Sequence, residues 1–103
     1  MIDTLKSLLG MSSVDYAQLV KEGAIIVDVR SKTEYASGHI KGAINIPVDR
    51  LPENQDKLGG KQKAIITCCA SGMRSASAAK WLLSQGYTSV YNGGSWTSLQ
   101  AKL

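Results

Sequence analysis

Four short apolar segments, rich in β-branched residues, constrain the fold of this chain more than any other feature of its sequence. They are Ala24–Val29, Ala43–Ile46, Ala64–Cys68 and Ser89–Tyr91. Nearly continuous apolar character is typical of strands that are buried on both faces of a parallel sheet. Because segments with helical signals separate the four runs, the sequence predicts an α/β fold in which helices flank both faces of a mostly parallel central β-sheet.

Capping residues and glycines mark the helices predicted between these strands. Serine and aspartate side chains accept hydrogen bonds from the first free amides of a helix, and glycine is favoured just past its end. In open parallel sheets, sites form at the carboxyl ends of the strands. Five helices are predicted: from Ser12, with Asp15, to about Glu22; from Ser31, with Glu34, to Gly38; from Pro52 to about Gly59; from Met73 to Gln85; and from Trp96, after Ser95, to Lys102.

The length of 103 residues is that of one ordinary domain, so we expect a single domain over 1–103 with an N-terminal extension at 1–11. No apolar run is long enough to cross a bilayer, and Met1–Gly10 lacks the basic and apolar regions of a signal peptide. We therefore expect a cytoplasmic protein that does not bind membranes. The spacing within Ile2–Leu9 leaves open whether this segment covers the domain, contacts a second copy or frays, and we expect a monomer or a weak homodimer.

The charge balance excludes some partners and favours others. Twelve Lys and Arg residues against eight Asp and Glu residues give a formal net charge of +4, but the basic residues are scattered along the chain. A nucleic-acid site requires a dense basic patch with stacking aromatic residues, so no nucleic-acid partner is predicted. A mild positive excess is compatible with a small anionic substrate.

The two cysteines, Cys68 and Cys69, are adjacent and therefore cannot join distant segments in an ordinary disulfide. With a single histidine and no pair of Cys-x-x-Cys ligands, the sequence predicts no metal site. The cysteines follow a predicted buried strand and precede a short loop and a helix. Gly72 permits a tight turn there, so that amides and the helix N-terminus can surround a thiolate and lower its pKa.

Of the two thiols, Cys69 is predicted to be the nucleophile, because Cys68 ends the predicted strand and Cys69 opens the loop. Cys68 is expected to pack against the sheet. The simpler alternative is that both cysteines are small core residues, which is a common role of free cysteine.

Three ordered motifs resemble those of single-domain rhodaneses, a family of sulfurtransferases. The first resemblance is the loop Cys69-Ala70-Ser71-Gly72-Met73-Arg74-Ser75, in which Gly follows the cysteine at the third position and Arg at the fifth. The others are an N-terminal signature containing Asp28-Val29-Arg30, Glu34-Tyr35, Gly38-His39-Ile40, Gly42-Ala43 and Asn45-Ile46-Pro47, and a C-terminal signature, Tyr91-Asn92-Gly93-Gly94 with Trp96. The resemblance covers residues 12–100.

This resemblance implies a sulfurtransferase that moves sulfane sulfur from a donor such as thiosulfate to cyanide, a small thiol or a protein thiol. The sulfur would be carried as a persulfide on Cys69, and no metal or organic cofactor would be needed. The loop that binds the substrate and the persulfide would consist of Ala70, Ser71, Gly72, Met73, Arg74 and Ser75. Asp28 and Arg30 would support this loop through charge-assisted hydrogen bonds.

Two residues of the chain depart from the usual pattern of the family. Rhodaneses that use thiosulfate readily often carry a cation directly after the cysteine, where this chain has Ala70. Trp96 follows the glycine pair after one residue, which is earlier than usual. Arg74 either contacts the substrate or pairs with a carboxylate and braces the loop, since the arginine fork suits both tasks.

Two other functions fit parts of the pattern. Counted from Cys68, Arg74 has the Cys-x5-Arg spacing of cysteine phosphatases and arsenate reductases. Against this alternative, Thr67 stands where phosphatases often have histidine, and the loop contains no carboxylate that could act as a general acid. The second alternative is a persulfide carrier or protein-interaction module, since rhodanese-like domains also occur in such roles.

Overall fold

A computed structural model describes residues 14–103 and contains four strands in a single sheet. The strands pair in the spatial order β2-β1-β3-β4, and every pair is parallel. The predicted parallel α/β architecture is therefore confirmed. The strands are β1 (Ile25–Asp28), β2 (Ile44–Asn45), β3 (Ile65–Cys69) and β4 (Val90–Ser95).

Within these residues, four α-helices and one 3-10 segment connect and cover the strands. Asp15 caps the first of these helices. The other residue predicted to begin it, Ser12, lies outside the described residues, and so do the segments 1–11, Met1–Gly10 and Ile2–Leu9. Within residues 14–103, every helix is too short or too polar to span a membrane. The elements are α1 (Tyr16–Lys21), α2 (Lys32–Ala36), the 3-10 segment (Val48–Leu58), α3 (Met73–Ser84) and α4 (Trp96–Ala101).

Two apolar clusters cover the two faces of the sheet, because neighbouring residues of a strand point to opposite sides. One face packs against α3 and the 3-10 segment, and the other against α1, α2 and α4. Helices thus lie on both faces, as predicted. The first cluster includes Val27, Leu51, Ile65, Cys69, Ala78 and Leu82, and the second includes Ile26, Ile40, Ile66, Cys68 and Leu99 together with Tyr16 and Trp96.

Some predicted boundaries were wrong. The helix expected to begin at Pro52 is a 3-10 segment that already begins at Val48, where the Pro47 carbonyl accepts a hydrogen bond from the Arg50 amide at 2.8 Å. A non-helical conformation at Asn54 kinks this segment, and proline inside it cannot donate a backbone hydrogen bond. β4 continues to Ser95, beyond the predicted end at Tyr91.

Close packing of β4 explains one of the two glycines in the C-terminal motif. A Cβ atom on Gly93 would lie 2.9 Å from both the Leu99 side chain and the Thr67 carbonyl. Only glycine therefore allows β4 to approach β3 and α4 this closely. The end of β4 is thereby held beside the loop that follows β3.

Candidate active site

Cys69 is the last residue of β3 and lies at the carboxyl edge of the sheet, where the chain turns into α3. The strand was expected to end at Cys68, so the cysteine predicted to open the loop instead closes the strand. Gly72 makes the turn with a φ of +99°, a conformation that residues with a Cβ atom rarely adopt. The turn directs the Gly72 amide to the Cys69 sulfur at 3.0 Å and the Ser75 amide to it at 3.4 Å.

The pKa of the Cys69 thiol is set by two opposing effects. Burial raises it, since the side chain is fully enclosed. A hydrogen bond with the Ser75 hydroxyl and hydrogen bonds from the amides of Ser75, Gly72 and Ser71 lower it, and together they outweigh burial. The pKa therefore lies below that of an ordinary thiol, which favours the nucleophilic thiolate.

Cys68 occupies a different environment although it is the neighbouring residue. Its side chain points to the opposite face of the sheet and belongs to the apolar cluster of Ile26 and Leu99. Burial raises the pKa of the Cys68 thiol to about 12. Cys68 is therefore a protonated core residue at neutral pH, and it packs against the sheet as the sequence analysis predicted.

Ser75 and Asn92 extend the hydrogen bonds around the Cys69 sulfur. The Ser75 hydroxyl lies 3.4 Å from the Cys69 sulfur and donates to the Asn92 side-chain oxygen at 2.7 Å. The same oxygen accepts the Gly94 amide at 3.0 Å. The sequence analysis missed this role of Asn92, because it depends on β4 lying next to β3 and not on any local pattern.

Arg74 forms a bidentate ion pair with Glu34, at 2.7 and 3.0 Å. The sequence analysis left open whether Arg74 contacts the substrate or pairs with a carboxylate, and in the structure it pairs with a carboxylate. Glu34 also completes the capping box of α2, so the pair joins the beginnings of α2 and α3. The remaining side chains of the loop, Ala70, Ser71 and Met73, are exposed and uncharged, with Met73 at 78% exposure.

The Arg74–Glu34 pair predicts a loss of stability in acid. Hydrogen bonds from Arg74, and then from the Ser31 amide, lower the pKa of Glu34 from 4.5 to about 2. A carboxylate with a depressed pKa stabilises the folded state above its unfolded pKa, and this contribution disappears as the pH falls from about 4.5 to about 2. We expect Glu34→Gln to lower the Tm at neutral pH, and the difference from wild type to vanish near the lower limit of this range.

Thermal unfolding followed by circular dichroism over this pH range tests the prediction. Glu53→Gln is the matched control, because Glu53 pairs with Arg50 on the surface, where both side chains are more than half exposed. It should leave the Tm almost unchanged at every pH. A difference between Glu34→Gln and wild type that persists unchanged at the acid limit would show that the ion pair is not its cause.

Asp28 and Arg30 form a buried ion pair that organises the segment after β1. The Asp28 carboxylate accepts hydrogen bonds from Arg30 Nε at 2.9 Å and Nη2 at 2.7 Å. The guanidinium also donates to the carbonyls of Glu34 at 3.2 Å and Gly38 at 2.6 Å, and it lies 4.8 Å from the centre of the Trp96 ring. The pair therefore supports the position of Glu34, and through Glu34 that of Arg74.

The site is thus a single low-pKa thiol held at the carboxyl edge of a parallel sheet by loop amides and braced by two ion pairs. Within residues 14–103, no group of three or more His, Cys, Asp or Glu side chains is arranged to hold a metal ion.

Comparison with known families identifies the arrangement. Residues 12–102 match the family model for the rhodanese-like domain. The chain belongs to the rhodanese-like family.

Relatives of this rhodanese-like domain include both small and large proteins. The thiosulfate sulfurtransferase GlpE of Pseudomonas fluorescens is 35% identical over 79 residues, which cover 76% of this chain and 72% of the relative. The tRNA uridine(34) hydroxylase of Erwinia tasmaniensis is 37% identical over 81 residues, which cover 74% of this chain but only 23% of that protein. The chain therefore spans most of the first relative and about a quarter of the second.

The fold of this rhodanese-like domain is similar to solved structures. A structure described as a rhodanese with anions from E. coli superposes with a TM-score of 0.71 at 31% identity, covering 74% of this chain and 91% of the other.

Proposed function

We propose that this protein is a sulfurtransferase that carries sulfane sulfur as a persulfide on Cys69. The observation that carries the proposal is the convergence of the Gly72 and Ser75 amides on the Cys69 sulfur, at 3.0 and 3.4 Å, at the N-terminus of α3. Such donors stabilise negative charge on sulfur both in the thiolate and in a persulfide anion. A relative named thiosulfate sulfurtransferase supports the same reaction class.

The reaction proceeds in two displacements at sulfur. The Cys69 thiolate attacks the outer sulfur of a donor such as thiosulfate; a sulfur–sulfur bond forms, and the bond within the donor breaks, so that sulfite leaves with the electron pair. The persulfide remains near the loop amides. A thiophilic acceptor (cyanide or a thiolate) then attacks the outer sulfur of the persulfide, and Cys69 leaves as the thiolate that began the cycle.

The contacts of the two cysteines favour sulfur transfer over the phosphatase or arsenate reductase alternative. In that alternative Cys68 would be the nucleophile, but its thiol is buried in an apolar cluster with a pKa of about 12. The loop amides at 3.0 and 3.4 Å contact Cys69 instead. The spacing from Cys68 to Arg74 therefore does not produce a phosphate-binding loop around Cys68.

The electrostatics of the loop favour a second, related function as a persulfide carrier. Ala70, Ser71 and Met73 are uncharged, and the charge of Arg74 is neutralised by Glu34. A dianionic donor such as thiosulfate therefore meets loop amides but no unpaired side-chain cation of the loop. Rapid transfer from a protein persulfide together with slow turnover of thiosulfate would distinguish the carrier from a thiosulfate-dependent enzyme.

The proposed function is tested by intact-mass spectrometry after incubation with thiosulfate. We expect a gain of one sulfur atom, about 32 Da, which cyanide removes. The gain should be absent in Cys69→Ala and present in Cys68→Ala. If thiosulfate gives no gain, an alkyl persulfide is used as the donor; failure of both donors, or a gain in Cys69→Ala, would contradict the proposal.

A further inference from the structure

The Ser75 hydroxyl has one hydrogen but two neighbours that compete for it. Its oxygen lies 2.7 Å from the Asn92 side-chain oxygen and 3.4 Å from the Cys69 sulfur. Ser75 is fully buried, so water cannot supply a further partner. The hydroxyl therefore donates either to Asn92 or to Cys69, but not fully to both.

The orientation of the Asn92 amide is fixed by its other contacts. Its oxygen accepts the Gly94 amide at 3.0 Å, and its nitrogen donates to the Gly72 carbonyl at 3.4 Å. Because a backbone N–H only donates and a carbonyl only accepts, the amide cannot be turned over without losing both bonds. The acceptor atom of Asn92 must therefore face Ser75.

We propose that Asn92 is a positioning residue that controls Cys69 through the single hydrogen of Ser75. While Cys69 is a thiol, its S–H donates to the Ser75 oxygen and Ser75 donates to Asn92. When Cys69 loses its proton, the Ser75 hydrogen turns from Asn92 to the sulfur, and the Asn92 oxygen keeps the Gly94 amide. The proposal deepens the proposed function, since it concerns activation of the same thiol.

Asn92 in this arrangement stabilises the thiol, whereas Ser75 stabilises the thiolate. Removing the Asn92 acceptor leaves the buried Ser75 hydroxyl without its 2.7 Å partner in the thiol state only. We therefore expect thiolate formation to become easier when Asn92 is replaced and harder when Ser75 is replaced. A residue that only stiffened the loop would not give opposite effects of this kind.

Other titratable or charged groups lie on the elements around Cys69. Arg74 on α3 is paired with Glu34 on α2, Asp28 at the end of β1 is paired with Arg30, and Cys68 is the neighbouring thiol on β3. On β4 the titratable side chain is Tyr91, and in the first apolar cluster, which contains Cys69, it is Tyr87. None of these groups is changed in the experiment, so their contribution is common to all variants.

The experiment measures the rate of alkylation by iodoacetamide from about pH 5 to about pH 10, with the modified cysteine assigned by fragment-ion mass spectrometry. At about pH 6 we expect Asn92→Leu to alkylate at Cys69 about fivefold faster than wild type, and Ser75→Ala about fivefold slower or more. In the Ser75→Ala background, Asn92→Leu should have no further effect. The readout does not require sulfur transfer, so it remains informative if the proposed function fails.

Asn92→Asp is the matched control, because it keeps an acceptor oxygen opposite Ser75 and Gly94; it should react no faster than wild type. Asn92 is exposed, so these substitutions do not disturb the core, and Asn92→Ala replaces Asn92→Leu if the leucine variant does not fold. The proposal is overturned if removal of the acceptor leaves the rate unchanged or slows it. It is also overturned if Asn92→Asp accelerates alkylation of Cys69. The same holds if Asn92→Leu changes the alkylation rate by the same factor in the wild-type and Ser75→Ala backgrounds.

Discussion

Replacing Cys69 with alanine is expected to lower the kcat for sulfur transfer at least about a thousandfold, because the covalent route is lost with the nucleophile. The same replacement at Cys68 should leave kcat within about threefold of wild type. The two residues are neighbours in one strand, but the loop amides contact Cys69 and the apolar cluster encloses Cys68. Initial rates with an alkyl persulfide or thiosulfate as donor and cyanide as acceptor measure both effects.

The matched alanine variants remove the same atoms from adjacent buried positions, so a general loss of folding would reduce the activity of both. Thermal unfolding of each variant identifies such a loss. If Cys68→Ala were inactive and Cys69→Ala active, Cys68 would be the nucleophile and the Cys-x5-Arg alternative would regain support. Hydrolysis of a chromogenic phosphate ester by Cys69→Ala would support the same conclusion.

Replacing Asp28 with asparagine is expected to reduce the free energy of unfolding by about 3 kcal/mol or more. Asp28 and Arg30 are almost fully buried, with side-chain exposures of 0% and 5%. Asparagine keeps the shape of the side chain but leaves the guanidinium charge without its anion. Breaking a buried pair from one side is costly, since the guanidinium keeps its hydrogen bonds to two carbonyls but loses its counter-charge in a place that water scarcely reaches.

Urea denaturation measures this difference, and the surface pair of Arg50 and Glu53 provides the matched control. Glu53→Gln makes the same chemical change in a pair whose side chains are 61% and 62% exposed, so we expect a cost below about 1 kcal/mol. Equal costs for Asp28→Asn and Glu53→Gln would contradict the argument from burial. Because Arg30 also binds the carbonyls of Glu34 and Gly38, the buried pair matters for the site as well as for the core.

Local patterns predicted the strands and most of the helices because their causes act over a few residues. Ser31 and Glu34 form the capping box at α2 that their spacing indicates, and Met73–Ser84 is helical as predicted. Patterns failed where a local preference was overridden. Pro52 indicated the first turn of a helix, but the turn at Pro47 and Arg50 had already begun the 3-10 segment.

The candidate site was predictable in part. The Gly72 turn and the small residues before it indicate a loop whose amides can surround a thiolate, and in the structure the Gly72 and Ser75 amides lie at 3.0 and 3.4 Å from the Cys69 sulfur. The role of Arg74 was left open, since its partner Glu34 lies 40 residues earlier in the chain. Asn92 belongs to the C-terminal motif, but no local pattern indicated its contact with Ser75.

The sequence alone determined the α/β architecture, the parallel strands and the position of the cysteine loop, since periodicity, capping and glycine turns are properties of neighbouring residues. The tertiary structure decided which thiol faces α3, how the charge of Arg74 is neutralised and which residue accepts the Ser75 hydrogen. These features depend on the strand order β2-β1-β3-β4, which brings the ends of β1, β3 and β4 together at one edge of the sheet. Two adjacent cysteines that look alike in the sequence differ in chemistry because a strand directs neighbouring side chains to opposite faces.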